Sequence, residues 1–174
     1  VHQLEHSVFE ICPAEAAEVF PFIATLMGMN LTGTHADRMK GLEGEGLEKL
    51  ILKNVRTLLI MASARKPILL VIEDLHWADR SSLQLLKPLY RLAENHPLLF
   101  INIFRPDYQE TSEKARTTLR DRHEKYLTEI ELSPLDDRHS EYLIQNLLKT
   151  RSLHPEIKKL VYDRTEGNPL YMEE

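Results

Sequence analysis

The 174 residues are enough to bury one domain core, or one domain plus a small lid. Apolar content of 43% and charged content of 28% are those of an ordinary globular chain, and a net charge near −5 with no concentrated basic face argues against direct nucleic-acid binding. The single cysteine, Cys12, excludes an internal disulfide and a cysteine-based zinc site and fits a reducing cytoplasm. No apolar run reaches bilayer length, so no membrane partner is expected. The start, VHQLEHSVFE, lacks the basic-then-apolar pattern of a signal peptide and has no initiator Met; the end, NPLYMEE, stops without a terminating signal. A cytoplasmic excerpt of a longer polypeptide is therefore expected.

Taken in chain order, residues 7–11 (SVFEI) are short and β-compatible, and residues 19–29 read as a helix begun through Phe20-Pro21-Phe22. Residues 35–46 are polar and hold three of the six glycines, which predicts a mobile loop. Leu47, Leu50, Ile51, Leu58 and Leu59 then follow helical spacing to about Ala64. Pro67 closes that helix and introduces a strand over 68–72. Asp79 stands where an N-cap belongs, ahead of a helix carrying Leu83, Leu86, Leu89 and Leu92, which Pro88 should kink or shorten. A second apolar strand is expected over 98–104 (LLFINIF), and a charged helix over 111–125. The alternating LTEIEL of 127–132 suits an edge strand, and helices follow over 135–149 and 154–165. Gly167-Asn168-Pro169 makes a turn into a last helical start.

This order of elements predicts an α/β layered fold with a helical appendage from about Leu135. The strands at 68–72 and 98–104 are apolar on both faces, as strands inside a parallel sheet must be. In such a sheet the ligand sits beyond the carboxyl ends of the strands. Glu73 and Asp74 stand at that end of one strand and Arg105 at that end of the next, so two anions and a cation share a rim. Mg²⁺ takes hard oxygen ligands and keeps several waters, so one carboxylate beside a triphosphate suffices. A second carboxylate can orient the attacking water, and an arginine can stabilise charge on the γ-phosphate.

Each of these residues also has a plainer reading. Glu73-Asp74 would serve simply to end a strand, Asp79 to cap a helix, and Arg105 to pair with a surface carboxylate. His76-Trp77 reads as a loop histidine beside a packed tryptophan rather than a metal ligand beside a stacking platform. The other histidines show no ligand spacing such as HExxH, so no zinc site is assigned.

ILLVIEDLHWADRSSL (68–83) resembles the Walker B segment of the AAA-like P-loop ATPase module in signal-transduction ATPases with numerous domains (STAND), which occur in large transcription regulators and in proteins fused to nucleotide cyclases or kinases. LLFINIFRP (98–106) is similar to that family's next strand with its sensor-type Arg-Pro. ELSPLDDRHSEYL (131–143) resembles the start of its lid, and EGNPLYMEE (166–174) the lid's closing Gly-x-Pro-Leu motif. These landmarks run in family order from about Phe20 to Glu174. The resemblance implies a three-layer α/β P-loop fold with a parallel sheet, and a C-terminal helical lid. It divides the chain into a partial nucleotide-binding domain over 1–134 and a lid segment over 135–174.

By the same resemblance Glu73 is the Mg²⁺-associated acid, through water, and Asp74 the water-orienting acid that also lies near the metal. Many relatives carry Asp where this chain has Glu73. Arg105 is the γ-phosphate sensor, and Pro169, in the turn with Gly167, contacts the adenine base. The plainer reading of that turn, a helix C-cap glycine followed by a stop, stands beside it. ATP and Mg²⁺ are the implied cofactors. Other domains of the same polypeptide and nucleotide-dependent self-association are the implied partners.

A P-loop needs G-x-x-x-x-G-K-[ST], because successive backbone N–H groups and a lysine must wrap the phosphates. The sequence contains none. Gly41-Leu42-Glu43-Gly44-Glu45-Gly46 is glycine-rich but acidic, and Lys149-Thr150 sits in a predicted helix. The resemblance implies that the P-loop and its strand lie upstream of Val1. That strand would lie between those at 98–104 and 127–132, so without it an apolar edge is exposed, and either the chain alone is marginal in solution or an upstream segment or partner fills the gap. The function expected is an ATP-binding, slowly hydrolysing regulatory switch, with hydrolysis depending on the upstream P-loop. The alternatives are a non-catalytic scaffold that keeps the fold without binding nucleotide, and a DNA-loading or transposition ATPase, for which no basic module is present.

Overall fold

A computed structural model describes residues 1–106, 108–150, 152 and 154–174. The chain divides into two compact units, Val1–Leu127 and Thr128–Glu174. The first is a helix-rich α/β unit with a small parallel sheet.

The first unit begins with α1 (His2–Ile11), α2 (Ala16–Leu26), α3 (Gly33–Met39) and the long α4 (Gly44–Ser63). Leu4, Val8 and Ile11 fall on one face of α1, which packs them against α2. Around Phe20, which is 1% exposed, Val8, Cys12, Ala16, Val19, Ile23 and Ala24 form a buried cluster backed by Val55, Leu58 and Met61 of α4. The Cys12 thiol lies fully inside it and donates to the Val8 carbonyl at 3.2 Å. Burial pushes this thiol's pKa up, and the nearby Glu15 carboxylate adds to the effect.

Pro21 sits inside α2 and has no N–H to give the Ala17 carbonyl one turn back. The Arg38 guanidinium donates to that carbonyl at 3.3 Å, so the gap left by proline also ties α3 to α2.

Two strands follow, β1 (Ile68–Ile72) and β2 (Leu98–Asn102), parallel and in register from Ile68↔Leu98 to Ile72↔Asn102. They are joined through α5 (Arg80–Tyr90) and a 3-10 turn over Arg91–Glu94. The α-helical geometry ends two residues past Pro88, in line with a proline that shortens the helix. Ile68, Leu98 and Phe100 point to one face of the sheet and pack with Leu85, Leu89 and Leu92, and with Leu52, Val55 and Leu59 of α4. On that face the Tyr90 hydroxyl donates to Asn102 Oδ1 at 3.0 Å, and burial pushes the phenol pKa up to about 12. The opposite face is bare: Leu69 is 56% exposed, Leu99 60%, and Val71 and Ile101 are exposed as well. A π-turn (Gln109–Glu113), α6 (Lys114–His123) and a 3-10 turn (Glu124–Tyr126) complete the unit.

The second unit holds α7 (Asp137–Leu148), α8 (Pro155–Thr165) and the short α9 (Pro169–Glu173). Asp136 caps α7 by accepting from the His139 N–H at 2.8 Å. Pro155 stands at the first position of α8, where its missing N–H costs nothing. Only Ser140, Ile144 and Thr165 of its helical residues are buried, while Tyr142, Leu148, Leu160, Leu170 and Tyr171 are exposed.

Three sequence expectations are corrected. Residues 7–11 form the end of α1 rather than a strand, because Leu4, Val8 and Ile11 make one helical stripe. Part of the 35–46 loop is helical: Gly33 and Gly44, both with positive φ, begin α3 and α4 instead of breaking them. Residues 127–132 carry the alternation of a strand but form none. A strand exists only against a hydrogen-bonding neighbour, and Ile130 and Leu132 stand 80% and 88% exposed.

Candidate functional site

β1 ends at Ile72, and the next two residues are Glu73 and Asp74, both exposed. Asp74 is held in the left-handed region at φ 51°, where a non-glycine residue is strained by about 1–3 kcal/mol unless its surroundings fix it. They do fix it. Ile103 N–H donates to the Ile72 carbonyl at 2.8 Å, and Leu75 N–H donates to the Ile103 carbonyl at 3.1 Å. The reversal at Asp74 drives Leu75 inward, where it packs with Leu83, Ala115, Ile72 and Phe104. A one-turn 3-10 segment, Leu75–Trp77, then leads to the start of α5.

That start is capped as the sequence predicts. Asp79 Oδ1 accepts from the Ser82 N–H at 2.7 Å. Hydrogen bonds from Ser82, side chain first and backbone second, hold the carboxyl below its usual range. A lowered carboxylate pKa means stabilisation that is whole above the unfolded value and lost as pH falls through the folded one. Asp79→Asn, which keeps the cap but cannot ionise, is therefore expected to match wild type at neutral pH. It should then lose less stability than wild type below about pH 4. Denaturation midpoints of both proteins across that pH range check this, and parallel curves would refute it.

Arg105 follows β2 at the same sheet end as Glu73 and Asp74 and is exposed. The fold thus brings these three predicted residues to neighbouring strand ends. Gly167 and Pro169 belong to the second unit. Gly167 (φ +77°) follows the left-handed Glu166 that caps α8, and Pro169 is the first residue of α9. The Leu135 N–H donates to the Gly167 carbonyl at 2.8 Å, and Asn168 Oδ1 accepts from the Leu170 N–H at 3.0 Å. The cap of α8 is thus Glu166 rather than Gly167, and Pro169 opens a helix instead of stopping one.

The tryptophan expectation is reversed. Trp77 is 70% exposed and His76 is 3% exposed, because the inward turn set by Asp74 spends its two buried positions on Leu75 and His76. The buried histidine is the site residue that periodicity does not reveal. Its ring lies 4.8 Å from both the Trp77 and Tyr108 rings, its Nδ1 accepts the Arg105 N–H at 3.4 Å, and its carbonyl accepts from the Thr111 hydroxyl at 2.8 Å. The one available signal was its place between the two acids and the helix cap, a short loop that must turn back under the strand end.

Two adjacent, exposed carboxylates at a strand's carboxyl end suit a hard cation that keeps part of its water shell. Phosphate is a different matter. Gly44 begins α4 between Glu43 and Glu45, whose charges oppose an anion at that helix start. Among the described residues no cluster of three or more His, Cys, Asp or Glu forms a metal site, and no helix is long and apolar enough to cross a membrane.

Comparisons with curated proteins and with solved structures gave no match. A family model described as AAA ATPase domain matches residues 3–101, more than half of the chain. The match runs from α1 through β1 and its two acids into β2, and Arg105, Gly167 and Pro169 lie beyond it. AAA ATPases as a family use ATP and Mg²⁺. By this match over both strands and the acidic strand end, the chain belongs to the AAA ATPase domain family.

Proposed function

We propose that the chain is part of an ATP-binding, slowly hydrolysing regulatory switch of the STAND type, within a multidomain signalling or transcription-regulating polypeptide. The observation that carries this reading is the convergence of Glu73, Asp74 and Arg105 at adjacent ends of a parallel strand pair, within or just beyond a family match to AAA ATPases. In this reading Glu73 holds Mg²⁺ through water, Asp74 lies beside it and orients the attacking water, and Arg105 senses the γ-phosphate. Bound Mg²⁺ would neutralise phosphate charge. Pro169 and Gly167 belong to a lid over residues 135–174 and supply the adenine contact.

The phosphate-wrapping loop comes from a segment upstream of Val1. Two features support that placement: the chain has no G-x-x-x-x-G-K-[ST], and one face of the β1–β2 pair is bare and apolar. An added strand and helix would cover that face and give residues 127–132 a strand to pair with. Nucleotide state would be read out as a shift in lid population, driven by contacts that differ between ATP and ADP.

Calorimetric titration of Mg·ATP into the full-length polypeptide tests this, with Glu73→Gln/Asp74→Asn alongside. Saturable binding is expected, weakened roughly tenfold in the double variant, or about 1.4 kcal/mol, with most of the loss in its magnesium dependence. A folded wild-type protein that takes up no nucleotide would make the acid pair a relic of the fold, and a non-catalytic scaffold the better reading.

A further inference from the structure

His76 is almost wholly buried, yet its Nε2 has no hydrogen-bond partner. A buried polar atom without a partner is unusual enough to require an explanation. The other ring nitrogen supplies part of it. Nδ1 accepts the backbone N–H of Arg105, so its lone pair is in use, and a neutral ring so bonded has its proton on Nε2. Nε2 is therefore a donor, and the Asp74 carboxylate lies 3.9 Å from it, just beyond hydrogen-bonding range. The ring cannot drift: Trp77 and Tyr108 flank it at 4.8 Å, and the Thr111 hydroxyl holds its carbonyl. Asp74 can move, since its side chain is 61% exposed.

We propose that His76 is a positioning residue that couples the two strand ends, its Nδ1 fixing the Arg105 backbone and its Nε2–H reserved for the Asp74 carboxylate. The proposal rests on the functional reading above for what Asp74 and Arg105 do, but the coupling itself needs no nucleotide. A small rotation of Asp74 toward Nε2 closes the bond and commits one carboxylate oxygen. The other oxygen is left for a water or metal-bound water. Because the same ring holds Arg105, the acid and the arginine adopt their working positions together. A histidine suits this role because its two ring nitrogens lie on a rigid plane, so an acceptor and a donor are presented at fixed separation.

The two jobs can be separated by substitution. His76→Asn places an amide oxygen near the Nδ1 position and keeps the Arg105 bond but loses the reach to Asp74. His76→Gln extends toward Asp74 and gives up the Nδ1 acceptor. The first measurement uses the full-length polypeptide with ¹⁵N-labelled histidine and arginine, without nucleotide, and assigns His76 by its disappearance in His76→Asn and Arg105 by its disappearance in Arg105→Lys. The Nε2-protonated tautomer is expected, and Asp74→Asn should move both the His76 Nε2 resonance and the Arg105 backbone amide. A ring protonated on Nδ1, or an Arg105 amide indifferent to Asp74→Asn, overturns the proposal. The second measurement titrates Mg·ATP and Mg·ADP into wild type, His76→Asn and His76→Gln. Both variants should lose several-fold in ATP-over-ADP preference, the larger part of the loss falling on ATP. An equal loss for both nucleotides would mean that the ring only fills space, and would overturn it too. If wild type binds neither nucleotide, the switch reading fails, and the spectra alone decide the coupling.

Discussion

Replacing Phe20 by Ala is expected to destabilise the first unit by about 3–5 kcal/mol, the usual cost of emptying a buried phenylalanine site. Its ring is 1% exposed, lies edge-on to His35 at 4.8 Å, and sits at the centre of the contact between α1, α2 and α4. The neighbours that would have to collapse into the hole are held by other constraints. The Arg38 guanidinium ties α3 to the Ala17 carbonyl of α2, and Glu18 is paired with Lys53 of α4 at 2.7 Å. Limited relaxation puts the loss in the upper part of that range. Folded domains are stable by only about 5–15 kcal/mol, so the substitution removes a large share of the total. Urea denaturation followed by circular dichroism reads it directly. Phe9→Ala, at a ring that is 56% exposed, should change stability by about 0.5 kcal/mol or less. Equal midpoints for wild type and Phe20→Ala would mean that the α1–α2–α4 cluster is not the cooperative core.

Gly167→Ala should cost on the order of 3–4 kcal/mol and loosen the junction of α8 and α9. Two penalties add. A left-handed backbone at φ +77° costs an alanine about 1–2 kcal/mol, and forcing a methyl group into a filled site costs a further 1–3. The obstructing atoms are the backbone oxygen and nitrogen of Leu135, with the Pro134 side chain beside them. Backbone cannot rotate away as a side-chain tip would, and moving Leu135 breaks its hydrogen bond to the Gly167 carbonyl. Hydrogen exchange at the amides of Leu135 and Asn168 is the appropriate measurement, since both are bonded within this turn. Faster exchange at both, with α7 amides less affected, is expected. Unchanged protection would show that the turn has room the geometry denies. Asn168→Ala, which removes only a cap bond, should cost about 1 kcal/mol and serves as the comparison.

These two sites also show what could be read in the sequence. The strand at 68–72, the cap at Asp79 and the glycine turn at 167 are governed by neighbours within a few positions, and each was legible at that range. That Glu73-Asp74 and Arg105 follow the same ends of two paired strands was legible too, because parallel pairing places the ends of two apolar strands together. Residues whose fate depends on distant partners were not. The alternation at 127–132 describes a strand correctly except for the partner it lacks. Residues 7–11 look extended alone, and only Leu4 and the α2 surface reveal the helical stripe. For His76 and Trp77, burial was decided by the left-handed turn at Asp74, which inverts which of two adjacent aromatic residues faces inward. Aspartate tolerates a left-handed backbone better than most residues, but its type alone does not dictate one.

The buried Cys12 has a consequence for redox behaviour. Its thiol is shielded, hydrogen-bonded and raised in pKa, so the folded chain presents almost no thiolate to an oxidant or to another molecule. No second cysteine in this sequence offers another route. Oxidative cross-linking between copies of the chain therefore has to pass through a state in which α1 has come away from α2. In an air-exposed sample, disulfide-linked dimers of this chain record molecules that have opened, and their rate of accumulation follows the population of that open state.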